Sequence, residues 1–131
     1  MKIVLFDLDG TITDSSEGIV NSIKYALSRL GFPEEPTEKI KQFIGPPLQQ
    51  TFKINYGISD YQNAVAIYRE YYAEKGIYEN RLYDGIVAVL DQLKNEGHII
   101  GLATGKPTYY SHIILKHFKI DHYFNAVVGS N

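Results

Sequence analysis

Apolar residues follow two different rhythms along this chain. At the start Ile3, Val4, Leu5 and Phe6 run without alternation, the pattern of a parallel strand covered on both faces, and predict a strand over Lys2 to Asp7. Beyond it the spacing becomes helical. Ile19, Ile23, Ala26, Leu27 and Leu30 share one face of a predicted helix from Glu17 to Leu30. Asp14 and Glu17 have the spacing of a capping box at its start. Gly31 stops this helix, and Pro33 and Pro36 prevent its return. Three further helices are predicted, over Glu38 to Ile44, Leu48 to Asn55 and Asp60 to Lys75, separated by Gly45-Pro46-Pro47 and Gly57 and closed by Gly76. Nothing from Asp14 to Asn80 has the pattern of a strand.

The rhythm then changes again. Gly85 to Asn95 reads as an amphipathic helix with Ile86, Val89, Leu90 and Leu93 on one side, and His98 to Thr104 as a second buried strand. Pro107 suits the first turn of another helix, which buries Ile113, Ile114 and Phe118, and Asn125 to Ser130 reads as a third strand. This order predicts an α/β fold: a core of about three parallel strands, formed by 1–13 and 81–131, with a helical block at 14–80 inserted after the first strand.

Composition narrows the function. The 131 residues suit one domain, or a small core with an insertion, and a formal charge of −2 leaves no footprint for nucleic acid or an anionic membrane. The absence of cysteine excludes disulfides, thiolate zinc sites and cysteine nucleophiles. Lys2 to Phe6 is too short to span a bilayer, so a cytoplasmic protein is expected. The histidines at 98, 112, 117 and 122 lack metal-ligand spacing. Tyrosine is enriched, with 11 copies; those of the helix predicted over Asp60 to Lys75 recur at helical intervals and most are expected in the core of the helical block, with Tyr72 and Tyr83 as candidates to meet a substrate.

The candidate chemistry sits where the strands end. Open parallel sheets bind ligands at the carboxyl ends of their strands. The first strand ends in Asp7-Leu8-Asp9-Gly10-Thr11, the second in Thr104-Gly105-Lys106. Adjacent carboxylates repel, and a divalent cation with hard oxygen ligands, such as magnesium, offsets that repulsion. Asp7 could attack phosphorus, while Gly10 lets the loop curl so that its amides face an anion. The plainer alternative is a turn at Asp9-Gly10 beside a strand-end carboxylate. The apolar strand before it, Thr11 and the insertion behind it favour chemistry. A phosphate-binding loop around Gly101 to Gly105 fails on spacing, since the motif needs one more residue between its glycines.

The stretch FDLDGTITDS resembles the first motif of the haloacid dehalogenase superfamily of phosphohydrolases, LATGK resembles its second, and the inserted block resembles its small helical cap. Gly45 to Leu48 and Tyr68 to Ile86 look like the phosphoglycolate phosphatase-like branch. The resemblance implies a three-layer Rossmann-like core, here incomplete, and a cytoplasmic phosphatase. Asp7 would be the nucleophile and a magnesium ligand. Asp9 would be general acid and base, its carbonyl also on the metal. Gly10, Thr11, Thr104, Gly105 and Lys106 would surround the phosphoryl group. The implied substrate is a small phosphorylated metabolite, of the phosphoglycolate or nucleoside monophosphate type. The hinges of the cap are expected near Thr13 to Ser15 and Asn80 to Asp84. Alternatives are a phosphosugar mutase of the same superfamily and a non-catalytic fragment or subunit; a receiver-type signalling domain would not carry an insertion here.

The family's third motif, a lysine, and its fourth, an acidic pair, normally follow the strand that Ala126 to Ser130 resembles. This chain is therefore expected to be the N-terminal part of a longer phosphatase, and a poor enzyme alone. Lys106 is the one nearby lysine with a geometric claim on the missing role, although a surface position at a helix start is its plainer reading. The first strand is expected to form an apolar edge open to self-association.

Overall fold

The computed structural model describes residues 1–130. In chain order its elements are β1 (Ile3–Phe6), β2 (Thr13–Asp14), α1 (Ser16–Arg29), α2 (Thr37–Lys41), α3 (Leu48–Gln50), α4 (Tyr61–Glu74), β3 (Arg81–Leu82), α5 (Ile86–Asn95), β4 (Ile99–Pro107), α6 (Thr108–His117) and β5 (Ala126–Ser130). They form two compact units, one of Met1–Ser15 with the stretch from Arg81 onward, the other Ser16–Asn80.

In the first unit three strands form a parallel sheet in the order β1-β4-β5. β1 pairs with β4 from Ile3 against Ile99 to Phe6 against Leu102. Strand periodicity sends alternate side chains to opposite faces. On one face Ile100 and Leu102 are fully buried; α5 packs on β4, and α6 on β4 and β5. On the other face Ile3, Leu5 and Val128 are 69%, 68% and 63% exposed. Within this chain β1 is covered on one face only, where the sequence predicts cover on both. β1 also lies at the edge of the sheet.

Other boundaries shift for local reasons. α1 starts at Ser16, and Asp14 belongs to β2, where its carboxylate accepts from Arg81 at 3.1 Å. β2 and β3 form a short antiparallel ladder, Thr13 with Leu82 and Asp14 with Arg81, which no periodicity announces in two residues. Of the apolar face predicted for α5 only Leu90 is fully buried, while Val89 is 44% exposed. α6 buries Ser111 and Leu115 beside Ile114, with Ile113 and Phe118 half-buried.

The second unit is helical, with α1 packed on α2 and α4. Val20, Ile23, Leu27, Ile40, Phe52 and Ala64 are the centre of its core. The helix predicted over Leu48 to Asn55 is instead α3 followed by a π-helical turn at Thr51–Asn55, and this wider turn carries the buried Thr51 and Phe52. Asp60 caps α4 by accepting from the Asn63 amide at 3.1 Å. Tyr72, a candidate to meet substrate, is core of this unit at 3% exposure; Tyr83, in the other unit, is exposed.

The start and end of the helical unit are fastened together. The Gly18 amide donates to the Glu79 carbonyl at 3.0 Å, and the Glu79 carboxylate accepts from Asn21 and Tyr71 at 3.1 and 2.8 Å. α1 approaches the Gly76–Tyr78 3-10 turn so closely that a Cβ on Gly18 would lie 1.9 Å from the Gly76 carbonyl oxygen. Gly18→Ala is expected to destabilise the protein by about 3 kcal/mol or more, because the obstacle is backbone, and urea denaturation measures this directly. Burial, followed by the hydrogen bond to Glu79, raises the Tyr71 pKa above its ordinary 10.0. A raised pKa favours the neutral phenol of the folded state. The stability it contributes is complete below pH 10 and is lost as pH rises through the folded value. The stability difference between wild type and Tyr71→Phe should therefore shrink above that pH in denaturation curves.

Candidate active site at the carboxyl ends of β1 and β4

The parallel register ends with Phe6 against Leu102, so Asp7, one residue on, follows the last paired position two residues before Thr104; β4 itself runs on to Pro107, past the end expected at Thr104. Asp7 is exposed, and its Oδ1 accepts from the Leu8 amide at 2.7 Å. Leu8 is fully buried and its carbonyl accepts from the amides of Thr11, Ile12 and Thr13, which turns the loop back on itself. The turn requires a positive φ at Gly10, +82°. The Gly10 amide donates to the Thr13 carbonyl at 2.8 Å and the Thr11 amide to Leu8. Both are spent inside the loop, so a contact from Thr11 to an anion would use its hydroxyl.

β4 contributes the facing wall through an irregularity. Its pairing with β5 runs regularly to Ala103 against Val128 and resumes at Pro107 against Ser130. Thr104, Gly105 and Lys106 thus face Gly129 alone, a bulge of the kind that re-aims side chains beside sites. Gly129 has no room for a side chain: a Cβ there would lie 2.5 Å from the Lys106 carbonyl oxygen and 2.7 Å from the Thr108 amide. Its own amide donates to Thr108 Oγ1 at 3.1 Å. Sequence reasoning passed over Gly129, although glycine inside a strand is a signal of close backbone approach. Gly129→Ala is expected to displace the bulge, visible as altered amide chemical shifts at Gly105 and Lys106 with β1 resonances unchanged.

Within the bulge the Lys106 amide donates to Thr104 Oγ1 at 3.2 Å. The Lys106 side chain reaches back to the first loop, its Nζ 3.3 Å from Asp9 Oδ2. The expected surface position at a helix start is corrected here. Lys106 lies on β4, not α6, and its side chain is only 9% exposed against 33% for Asp9. The open space above Gly105 holds no protein atom within 4 Å of a notional Cβ. The structure therefore joins Asp9, Thr104 and Lys106 directly.

The oxygen donors suit a hard cation. Among the described residues Asp9 Oδ1 is buried without a hydrogen-bond partner, and Asp7 is open to solvent. Magnesium is commonly held by one or two carboxylates, with waters and phosphate oxygens completing its shell, so the exposed Asp7 carboxylate suits it. Among the described residues no three acidic or imidazole side chains gather as a ligand group, and no helix is long and apolar enough to cross a membrane.

Comparison with known proteins identifies the family. A 5'-nucleotidase from Pseudomonas aeruginosa is 45% identical over 97% of this chain and 58% of its own length. A tyrosine-protein kinase, PtkA, from Mycobacterium tuberculosis is 35% identical over 99% of this chain and 45% of its own. A phosphoglycolate phosphatase from Mannheimia succiniciproducens is 32% identical over 98% and 62%. Among solved structures, a Clostridium difficile protein assigned as a phosphatase superposes with a TM-score of 0.93 at 49% identity, covering 99% of this chain and 61% of that one. This chain thus spans about three fifths or less of the length of these relatives. Residues 4–131 match the haloacid dehalogenase-like hydrolase family, and the chain belongs to it.

Proposed function

We propose that this chain carries the nucleophile-bearing part of a magnesium-dependent phosphatase acting on a small phosphomonoester. The observation that carries this reading is the convergence of the Asp7-to-Thr11 loop and the Thr104-to-Lys106 bulge at one end of the β1–β4 pair. Phosphoryl transfer is mainly a matter of positioning and charge neutralisation, and such a site offers both. Asp7 attacks phosphorus through a carboxylate oxygen, the phosphorus–oxygen ester bond breaks, and the leaving alkoxide takes a proton from Asp9. Asp9 then removes a proton from water, which attacks the aspartyl-phosphate and releases inorganic phosphate with Asp7 restored. Thr104, through its hydroxyl, and Gly105, through its amide, hold phosphoryl oxygens. Magnesium, bound by Asp7 and the Asp9 carbonyl, would supply charge neutralisation.

The relatives named 5'-nucleotidase and phosphoglycolate phosphatase support a nucleoside monophosphate or phosphoglycolate as substrate. In this reading the helical unit at 14–80 is a cap on a core formed by 1–13 and 81–131, and the protein works in the cytoplasm. Magnesium-dependent hydrolysis of p-nitrophenyl phosphate tests the reading. Asp7→Asn should lower turnover roughly a thousandfold or more, and chelation should abolish it. Equal rates in wild type and Asp7→Asn would exclude Asp7 as nucleophile.

The open face and free edge of β1 also support self-association through that strand. Leu5→Lys should then reduce concentration-dependent association in light scattering, and an unchanged particle size would refute this arrangement.

A further inference from the structure

We propose that His98 is a protonation-gated positioning residue for β1: its neutral imidazole clamps the amino end of the strand against β4, and protonation of the ring releases it.

β1 is held to the sheet by few contacts. Among the described residues its one neighbouring strand is β4, and it buries only one face. The paired register begins at Ile3 against Ile99, and Lys2, one residue earlier, is bound through both of its backbone groups. Its carbonyl accepts from the Ile99 amide at 2.9 Å, an ordinary ladder bond, whereas its amide donates to His98 Nδ1 at 3.1 Å. The chain enters β4 through a left-handed turn, with φ +81° at Gly97, whose amide donates back to the Lys94 carbonyl. β4 therefore begins only at Ile99, and the imidazole stands in for the carbonyl that an earlier strand residue would have offered.

A ring nitrogen that accepts from an amide carries no proton, so the neutral imidazole has its hydrogen on Nε2. Nε2 lies 3.3 Å from Glu96 Oε2, and its N–H donates to that carboxylate. The His98 side chain is 18% exposed, which gives solvent protons access to it. Protonation puts a hydrogen on Nδ1 as well. Two donors then face each other, and the bond to Lys2 is lost. The neighbours pull in opposite directions: the Lys2 amide favours the neutral ring, and Glu96, in the turn after α5, favours the charged one. Of the other charged groups around these elements, Lys94 in the last turn of α5 donates to the His122 carbonyl, while the Lys2 ammonium and the Met1 amino group belong to the segment being held. On the β5 side stands Asn125, which is neutral and accepts from the Ile100 amide. Histidine is the side chain that ordinarily changes charge between about pH 5 and 8, so a bond gated by one answers to mild acid.

NMR titration of the 131-residue chain tests the clamp. In alkaline solution the ring nitrogens of His98 should show the Nε2–H tautomer. As the ring protonates, exchange of the Lys2 amide, corrected for its intrinsic pH dependence, should accelerate about tenfold, the loss of one ordinary hydrogen bond. His98→Asn, which keeps an acceptor oxygen near the Nδ1 position and does not titrate, should hold slow exchange at every pH, and His98→Ala should give fast exchange at every pH. Glu96→Gln should lower the pH at which exchange accelerates. An Nδ1–H tautomer, or an acceleration that persists in His98→Asn, would overturn the clamp. An unmoved midpoint in Glu96→Gln would overturn the opposing role of Glu96. The tautomer is read on wild type, so the proposal can fail even if no His98 variant folds.

Discussion

The parallel pairing of β1 with β4 is the constraint on which the rest depends. It aligns Phe6 with Leu102, and so sets the first loop beside the end of the strand that carries Thr104 and Lys106. A slip of one residue would reverse every side chain of β1 between the two faces. Burial supports the register from one side only, through Val4, Phe6, Ile100 and Leu102, since Ile3 and Leu5 on the opposite face are largely exposed. Burying Leu90, Ile114 and Leu115 in the same unit therefore also holds the acidic loop in place, through the strand to which that loop is attached.

A long helical insertion is compatible with such a demanding register because its ends are brought together twice. In the α/β unit β2 and β3 pair antiparallel, so the chain leaves and returns through adjacent strands. In the helical unit Gly18 and Glu79 are bonded through their backbones, near its first and last residues. Closing a loop costs entropy that grows only slowly with its length, so once the ends are fixed the helices between them can pack on their own core. That core, around Phe52, Ile40 and Ala64, shares no residue with the sheet.

The sequence announces elements that bury one face over many residues, because burial imposes a period. α1 and α4 are clear in this way, and α4 is further marked by Asp60 at its cap. It conceals features that depend on a few residues or on backbone geometry. The β2–β3 ladder is too short to show alternation, and the π-turn at Thr51–Asn55 shares its apolar spacing with an ordinary helix. The open face of β1 is hidden for a different reason: Ile3 and Leu5 are as apolar as residues of a covered strand. At the candidate site Asp7, Asp9 and Thr104 stand out because strand ends are where ligands bind, whereas Gly129 acts by having no side chain and Lys106 by direction. A lysine after a strand and before a proline reads as solvated unless the bulge that turns it inward is known.

Stability does not explain that turn. A partly buried ion pair sheds hydration on both partners, and the attraction recovered is commonly no greater than what was lost. The bulge is also held by the Gly129 amide, which donates to Thr108 Oγ1. What the bulge fixes is position: it sets the Lys106 ammonium 3.3 Å from the Asp9 carboxylate and so ties the β4 wall to the first loop.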